Sequence, residues 1–312
     1  MKYLLICFTF VMCFCNSFSQ EQSIKKNSIK TTLTYTRKKT DTLKMDLYTN
    51  DPQNIERKPC ILFVFGGGFF MGRRDDTLFA NYFQKLAENN FLVVSIDYRL
   101  GLKDQKWPTA FHTIQLKNAI DTAVADLYDA TAFLLKHADS LHIDTSKIIL
   151  SGSSAGAITV LQADWHRRNR LPISNVLPKQ FDYAGVIAFA GAIFSYTGKP
   201  AYKLPPAPTM LFHGTDDYVV PFNKIRLLNR VFYGSKAIAK LFRKNNYPYY
   251  FQYEQGMGHE VAGTPMYNNI DDILWFIDRY IYKHKKYLIE RNVNDLQRKR
   301  TFFIPAPEEQ IR

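Results

Sequence analysis

Short runs of apolar, β-prone residues that alternate with helix-patterned stretches constrain this chain more than any other feature. The runs cover residues 60–65, 91–96, 147–151, 183–190, 209–213 and 249–254, and helical patterns fall at 77–89, 114–138, 157–163 and 269–283. Strands that are apolar without alternation are buried on both faces, which a mostly parallel sheet flanked by helices provides. Upstream, residues 31–48 alternate polar and β-prone side chains across a Lys38-Lys39-Thr40-Asp41 break, the pattern of a hairpin. The expectation is one α/β domain over residues 31–283, with a central sheet of about eight strands and helices on both faces. No internal repeat, heptad or second domain is visible.

The two ends differ from this body. Met1-Lys2, an apolar stretch over residues 3–14 and Ser17-Phe18-Ser19 before Gln20 have the layout of a signal peptide. Residues 1–19 are therefore expected to be removed on export to the periplasm or beyond. The apolar stretch is shorter than the roughly 20 residues that span a bilayer. Against a lipoprotein reading, neither Cys13 nor Cys15 follows the Leu-x-Ala/Gly pattern of a lipidated cysteine. Cleavage after Ser19 leaves Cys60 as the remaining thiol, placed at the head of an apolar strand as a buried structural residue.

Residues 20–30 read as a flexible segment and residues 284–312 as a basic tail. The chain carries 41 Lys+Arg against 28 Asp+Glu, a net charge of +13 that by itself suggests a polyanion or an acidic membrane surface as partner. Its distribution argues otherwise, because residues 46–282 hold only +3 while 20–45 carry +5 and 283–312 carry +4. The surplus is expected on solvated ends, with at most weak membrane-surface contact through the tail. No nucleic-acid-binding motif accompanies it.

Gly152-Ser153-Ser154-Ala155-Gly156 fits G-x-S-x-G directly after an apolar strand and before a helical stretch. In that setting the pattern presents a nucleophilic serine on a tight strand-to-helix turn, and the glycines leave room where Cβ atoms would collide. Phe65-Gly66-Gly67-Gly68-Phe69 follows the strand at 60–65, where a Gly-rich loop can turn backbone N–H groups toward an oxyanion. Gly67 and Gly68, together with Ala155, are the candidate donors. A phosphate cradle is the rival for such a loop, but no Gly-Lys-Ser/Thr follows it and no G-x-G-x-x-G aligns.

A serine hydroxyl also needs a histidine to take its proton and a carboxylate to hold that histidine. His213-Gly214-Thr215-Asp216-Asp217-Tyr218-Val219-Val220-Pro221 lies past one strand and Gly256-Met257-Gly258-His259-Glu260 past the last, so the chain order is Ser154, an Asp, His259. No His, Cys or carboxylate group shows zinc spacing, and neither a metal nor another cofactor is expected. A non-catalytic binding protein on the same scaffold is the rival from another class. It would need one of the three residues absent or misplaced.

These motifs make the chain similar to α/β-hydrolase-fold serine esterases, in particular the branch with a Gly-Gly-Gly oxyanion loop that includes secreted bacterial carbohydrate esterases and lipase-like carboxylesterases. The resemblance covers roughly residues 31–283 and extends to Asp46-Leu47-Tyr48, to Asp97-Tyr98-Arg99-Leu100 and to the His-Gly-x-x-Asp-x-Val-Val-Pro segment. It implies Asp217 as the catalytic acid, with Asp216 as runner-up. It also implies an acetyl or feruloyl ester on a polysaccharide as substrate, with a short-chain carboxylesterase or lipase as the alternative. The chain departs from the hormone-sensitive-lipase-like pattern at Phe65, where His would stand, and at Ser153, where Asp often stands. Phe69, Ser153, Trp165 and Tyr218 are candidates to contact substrate, and His166 belongs to a stretch at 161–180 expected to line or cover the site. His213 is expected to be a structural residue at a strand end.

Overall fold

The computed structural model describes residues 28–38, 41–103, 113–196, 198–227 and 230–297. The expected signal peptide, residues 20–27 of the flexible segment and residues 298–312 of the tail lie outside the described residues. A hairpin of β1 (Ile29–Lys38) and β2 (Asp41–Thr49) opens the fold. There follow β3 (Lys58–Val64), α1 (Ala80–Glu88), β4 (Leu92–Ile96), α2 (Thr113–Lys136), β5 (Ile143–Ser153), α3 (Ala155–Arg168), β6 (Gly185–Phe189) and β7 (Ala192–Ser195). The second half contains β8 (Thr209–Gly214), β9 (Lys224–Leu227), β10 (Arg230–Gly234), α4 (Ser235–Lys244), β11 (Tyr249–Glu254), α5 (Pro265–Asn268), α6 (Ile270–Phe276) and β12 (Leu288–Val293).

Among the described residues, nine strands form the main sheet in the order β1-β2-β4-β3-β5-β6-β8-β11-β12. The joins β1–β2 and β2–β4 are antiparallel, and every join from β4 onward is parallel. All residues of β4, β6 and β8 are buried, as their predominantly apolar sequences require for strands covered on both faces.

From β3 the chain moves outward to β4 on one side, then returns through α2 to β5 on the other. Right-handed crossovers in opposite directions put α1 and α2 on opposite faces of the sheet. On the α1 face, the Phe83 ring lies 5.0 Å from that of Phe63, and the Tyr82 hydroxyl is 3.0 Å from Ser151 Oγ. On the other, the Tyr128 hydroxyl of α2 donates to the Ala163 carbonyl of α3 at 2.7 Å. Because the chain leaves β3 and β5 in opposite directions, a crevice opens at their C-terminal ends, the usual place for a site in an open α/β sheet. Gly66, Gly67 and Gly68 follow β3, and Ser154 follows β5.

Three features differ from the expectation. First, the segment set apart as a basic tail supplies β12, which pairs in parallel with β11 from Tyr249↔Leu288 to Glu254↔Val293 and brings the sheet to nine strands. Most of its side chains are exposed, so the strand is held by backbone pairing and lacks the apolar run that would have marked it. Second, β7, β10 and β9 make a separate three-stranded antiparallel sheet. Third, α3 runs on to Arg168, which makes the first part of the 161–180 stretch the body of the helix rather than an inserted cover.

Candidate active site

Ser154 joins β5 to α3 with φ 51° and ψ −115°, a conformation that costs a residue with a Cβ about 1–3 kcal/mol. Its N–H donates to the Phe189 carbonyl at 2.9 Å, and its own carbonyl accepts from the Ile158 N–H at 2.9 Å, so neighbouring elements hold the turn in place. The strain lifts the hydroxyl off the strand axis. Ser154 Oγ lies 2.8 Å from Nε2 of His259, whose Nδ1 is 2.7 Å from Oδ2 of Asp217. All three residues are buried.

The proton positions follow from the partners. An ionised carboxylate only accepts, so Nδ1 of His259 carries the proton and Nε2 offers its lone pair to the serine hydroxyl. Burial by itself would raise the Asp217 pKa, but hydrogen bonds from His213 and His259 outweigh it and hold the carboxyl well below the usual carboxylate range. Its Oδ1 also accepts the N–H groups of Val219 and Val220 at 2.8 and 2.9 Å. Asp216, the other acid of the pair, is exposed and accepts from Thr215 Oγ1 at 3.0 Å.

The glycine loop sits against the nucleophile, since a Cβ built on Gly66 would come within 3.2 Å of Ser154 Cβ. Gly67 and Gly68 have φ of 109° and 63°, and a Cβ on Gly67 would stand 2.1 Å from the Met71 carbonyl oxygen. The curl is closed by the Phe70 and Met71 N–H groups, both donating to the Gly67 carbonyl at 3.1 Å. Among the described residues, the amides of Gly67, Gly68 and Ala155 have no backbone acceptor.

Tyr98 buttresses this loop, a role that sequence reasoning missed. Its ring stacks on Phe65 at 4.4 Å, its hydroxyl donates to the Phe65 carbonyl at 3.2 Å, and the Leu102 N–H donates to the Phe69 carbonyl at 3.0 Å. The Asp97-Tyr98-Arg99-Leu100 stretch is anchored in turn by Arg99, whose backbone N–H and guanidinium both bind the buried Asp126. The spacing of the stretch is thus a device for fixing the loop after β3, legible only once β3 and β4 are seen as neighbours.

The four residues put forward as substrate contacts are dispersed. Phe69 is 2% exposed with its ring edge-on to Tyr98, so it is core. Ser153 is buried and donates its hydroxyl to the Ala262 carbonyl at 2.8 Å, tying the serine turn to the segment that carries His259. Trp165 is eleven residues into α3, roughly 16 Å along the helix from Ser154 at 1.5 Å per residue. Its indole N–H donates to the Ala201 carbonyl, and with His166, Phe194 and Tyr196 it lines a cavity of about 320 Å³ whose wall includes neither Ser154 nor His259. Tyr218, beside Asp217, is 64% exposed. His166 is buried, which pushes its pKa down to about 4, and it meets the Gln162 side chain at 3.0 Å. His213 is also fully buried, as a strand-end residue, but it lies against Asp217 with Nε2 3.2 Å from Oδ2.

Comparison with known proteins agrees with this architecture. The family model described as BD-FAE matches residues 45–193, which include the glycine loop and Ser154. Lipase 2 of Moraxella sp. (strain TA144) is 32% identical over 142 residues, 41% of this chain and 29% of that protein. AB hydrolase superfamily protein C1039.03 of Schizosaccharomyces pombe is 30% identical over 99 residues, 31% of this chain and 24% of that protein. The matched stretches thus span less than a third of these curated relatives. Among solved structures, a thermophilic esterase from the Planctomycetes species Thermogutta terrifontis, Est2, superposes with a TM-score of 0.59 at 21% identity, covering 84% of this chain and 94% of that one. Its butyrate-bound form gives 0.59 at 20% identity, with 84% and 95% covered. Sheet order, serine turn and structural neighbours agree: the chain has the α/β-hydrolase fold.

Proposed function

We propose that this chain is an exported serine esterase that hydrolyses carboxylic esters through an acyl-enzyme on Ser154. The observation that carries the proposal is the unbroken pair of hydrogen bonds from Ser154 Oγ to His259 Nε2 and from His259 Nδ1 to Asp217 Oδ2, at 2.8 and 2.7 Å. His259 takes the hydroxyl proton as Oγ attacks the ester carbonyl. Asp217 holds the ring in the required tautomer and stabilises the imidazolium that forms. The N–H groups of Gly67, Gly68 and Ala155 receive the oxyanion, an effect of roughly 3 kcal/mol per donor in comparable sites. The imidazolium then protonates the leaving alcohol, and water, deprotonated by His259, releases the acid. The matches to BD-FAE and to Lipase 2 support ester chemistry on this scaffold.

For substrate, we favour acetyl or feruloyl esters on polysaccharides, in keeping with the signal-like residues 1–19. The likeness to Lipase 2 favours a second reading, a short-chain carboxylesterase or lipase whose substrate holds no carbohydrate. Ser154→Ala is expected to abolish turnover of p-nitrophenyl acetate while the protein stays folded, and undiminished turnover in that variant overturns the mechanism. Acetylated xylan, methyl ferulate and p-nitrophenyl esters of increasing acyl length separate the two substrates. A preference for the longer acyl chains removes the carbohydrate reading.

A further inference from the structure

We propose that His213 is a positioning residue for Asp217, an imidazole whose Nε2–H holds the carboxylate oxygen that His259 also uses. The proposal rests on the reading of Ser154, His259 and Asp217 as the catalytic residues. His213 is the next-to-last residue of β8, is 0% exposed, and has a partner at each ring nitrogen. Nδ1 lies 2.8 Å from Ser235 Oγ at the start of α4, and Nε2 lies 3.1 Å from the Val220 carbonyl and 3.2 Å from Asp217 Oδ2. A carbonyl cannot donate, so Nε2 carries a proton directed at Val220 and Asp217, while Nδ1 meets the Ser235 hydroxyl, which also lies 3.5 Å from the Gly191 carbonyl.

Asp217 therefore faces four N–H groups, the Val219 and Val220 amides on Oδ1 and, on Oδ2, His259 Nδ1 at 2.7 Å with His213 Nε2 at 3.2 Å. The amides pin one oxygen. His213 stops the carboxylate from turning Oδ2 away from His259, and it shares the charge that His259 would otherwise face alone. The Val220 carbonyl at 3.1 Å shares the Nε2–H with Asp217. Tyr253 pairs with His213 in β11, the Phe222 ring stands 5.7 Å from its own, Ser235 comes from α4, and the charged or titratable groups in line with it are Asp217 and, beyond that, His259. Burial with both ring nitrogens engaged also explains why a histidine can stand beside Asp217 without acting as a second base.

Three substitutions test the idea. His213→Gln puts an amide N–H where Nε2 stood, His213→Asn has an amide too short to reach Asp217, and His213→Leu has no donor. The Leu and Asn variants are expected to lose about tenfold in kcat with KM unchanged, the scale of one hydrogen bond to a charged group. With one donor fewer on Asp217, the imidazolium of His259 is favoured, so the acid limb of kcat/KM moves to higher pH. His213→Gln is expected to restore both. Proton NMR of the His259 Nδ1–H reads the same contact without substrate: its resonance is expected to be unchanged in the Gln variant and displaced in the other two. Leu and Asn variants with wild-type kcat and an unmoved limb overturn the proposal, as does a Gln variant as impaired as they are. If the wild-type protein hydrolyses no ester, the functional reading fails, and the NMR comparison still decides whether His213 sets the Asp217–His259 contact.

Discussion

Gly152 and Gly156 touch backbone to backbone across the Ser154 turn: a Cβ on Gly152 would stand 2.4 Å from the Gly156 carbonyl oxygen. A Cβ on Gly156 would in turn come within 2.0 Å of the Val64 carbonyl oxygen on β3. The two glycines of the motif thus serve packing. The positive φ belongs to Ser154 itself. Gly156→Ala forces backbone apart and is expected to cost about 1–3 kcal/mol, as overpacking does. Urea unfolding should show a lower midpoint at unchanged slope, and esterase turnover should fall because the serine turn shifts with the helix. A midpoint and turnover equal to wild type would show that the turn has slack the contacts deny.

Asp217 and Asp216 are adjacent in sequence but differ in surroundings, and kinetics should separate them. Asp217→Asn leaves an amide that can present its N–H to His259, so the histidine is driven to the wrong tautomer. A kcat loss of about 10⁴-fold is expected, the size of that change in a serine protease triad. Asp216→Asn should leave kcat and KM unchanged, since its exposed carboxylate meets Thr215 and does not hold His259. Equal losses in the two variants would remove Asp217 from its assigned role.

The depressed Asp217 pKa also bears on acid stability. A carboxyl whose folded value lies below the unfolded value of about 3.9 contributes stability that is fully present above that value and is lost as pH falls through the folded one. The two histidine hydrogen bonds that cause the depression exist only in the folded chain. Unfolding free energy measured by urea from about pH 6 down to about pH 3 should therefore decline at the acid end, and less steeply in Asp217→Asn. An identical decline in that variant would place the acid lability elsewhere.

Much of this site was legible in the sequence because its parts are local. The serine turn needs five consecutive residues, the glycine loop needs β3 just before it, and Ser154, Asp217 and His259 each follow a strand whose apolar run is plain. What escaped reading depends on contacts distant in sequence. Tyr98 looks like any core aromatic until β4 is set beside β3, and then its hydroxyl reaches the Phe65 carbonyl. Ser153 looked available to substrate, yet its hydroxyl is taken by Ala262, 109 residues away. Trp165 reads as a substrate contact while the helical pattern stops at residue 163, but α3 continues to Arg168 and carries the indole away from Ser154. The three-stranded sheet of β7, β10 and β9 is built from strands of four or five residues, too short for a periodic signal to emerge.

The C-terminal segment gives the last prediction, and it reverses the one that charge alone suggests. If residues 286–312 were only a solvated basic tail, removing them would change nothing. In the structure the Tyr249 N–H donates to the Tyr287 carbonyl at 3.1 Å, and the Gln255 N–H donates to the Val293 carbonyl at 2.8 Å, so β12 is fastened at both ends. The Tyr249 hydroxyl donates to Glu290 at 2.6 Å, Arg291 pairs with Asp272 at 3.0 Å, and the Tyr287 ring stacks on Trp275 at 6.2 Å. A chain ending at Lys285 loses all of these and leaves β11 as an open edge, prone to pair with other chains. Each backbone bond contributes about 1 kcal/mol net, so the melting temperature should fall clearly and light scattering should reveal association. Turnover should fall as well, because Gln255 opens the turn that leads from β11 to His259, and the Val293 carbonyl steadies it. A chain ending at Gln297 keeps every one of these contacts and should match the full chain in melting temperature and turnover. If the Lys285 chain is as stable and as active as the Gln297 chain, β12 contributes nothing to the sheet and the tail is the solvated end that its charge suggested.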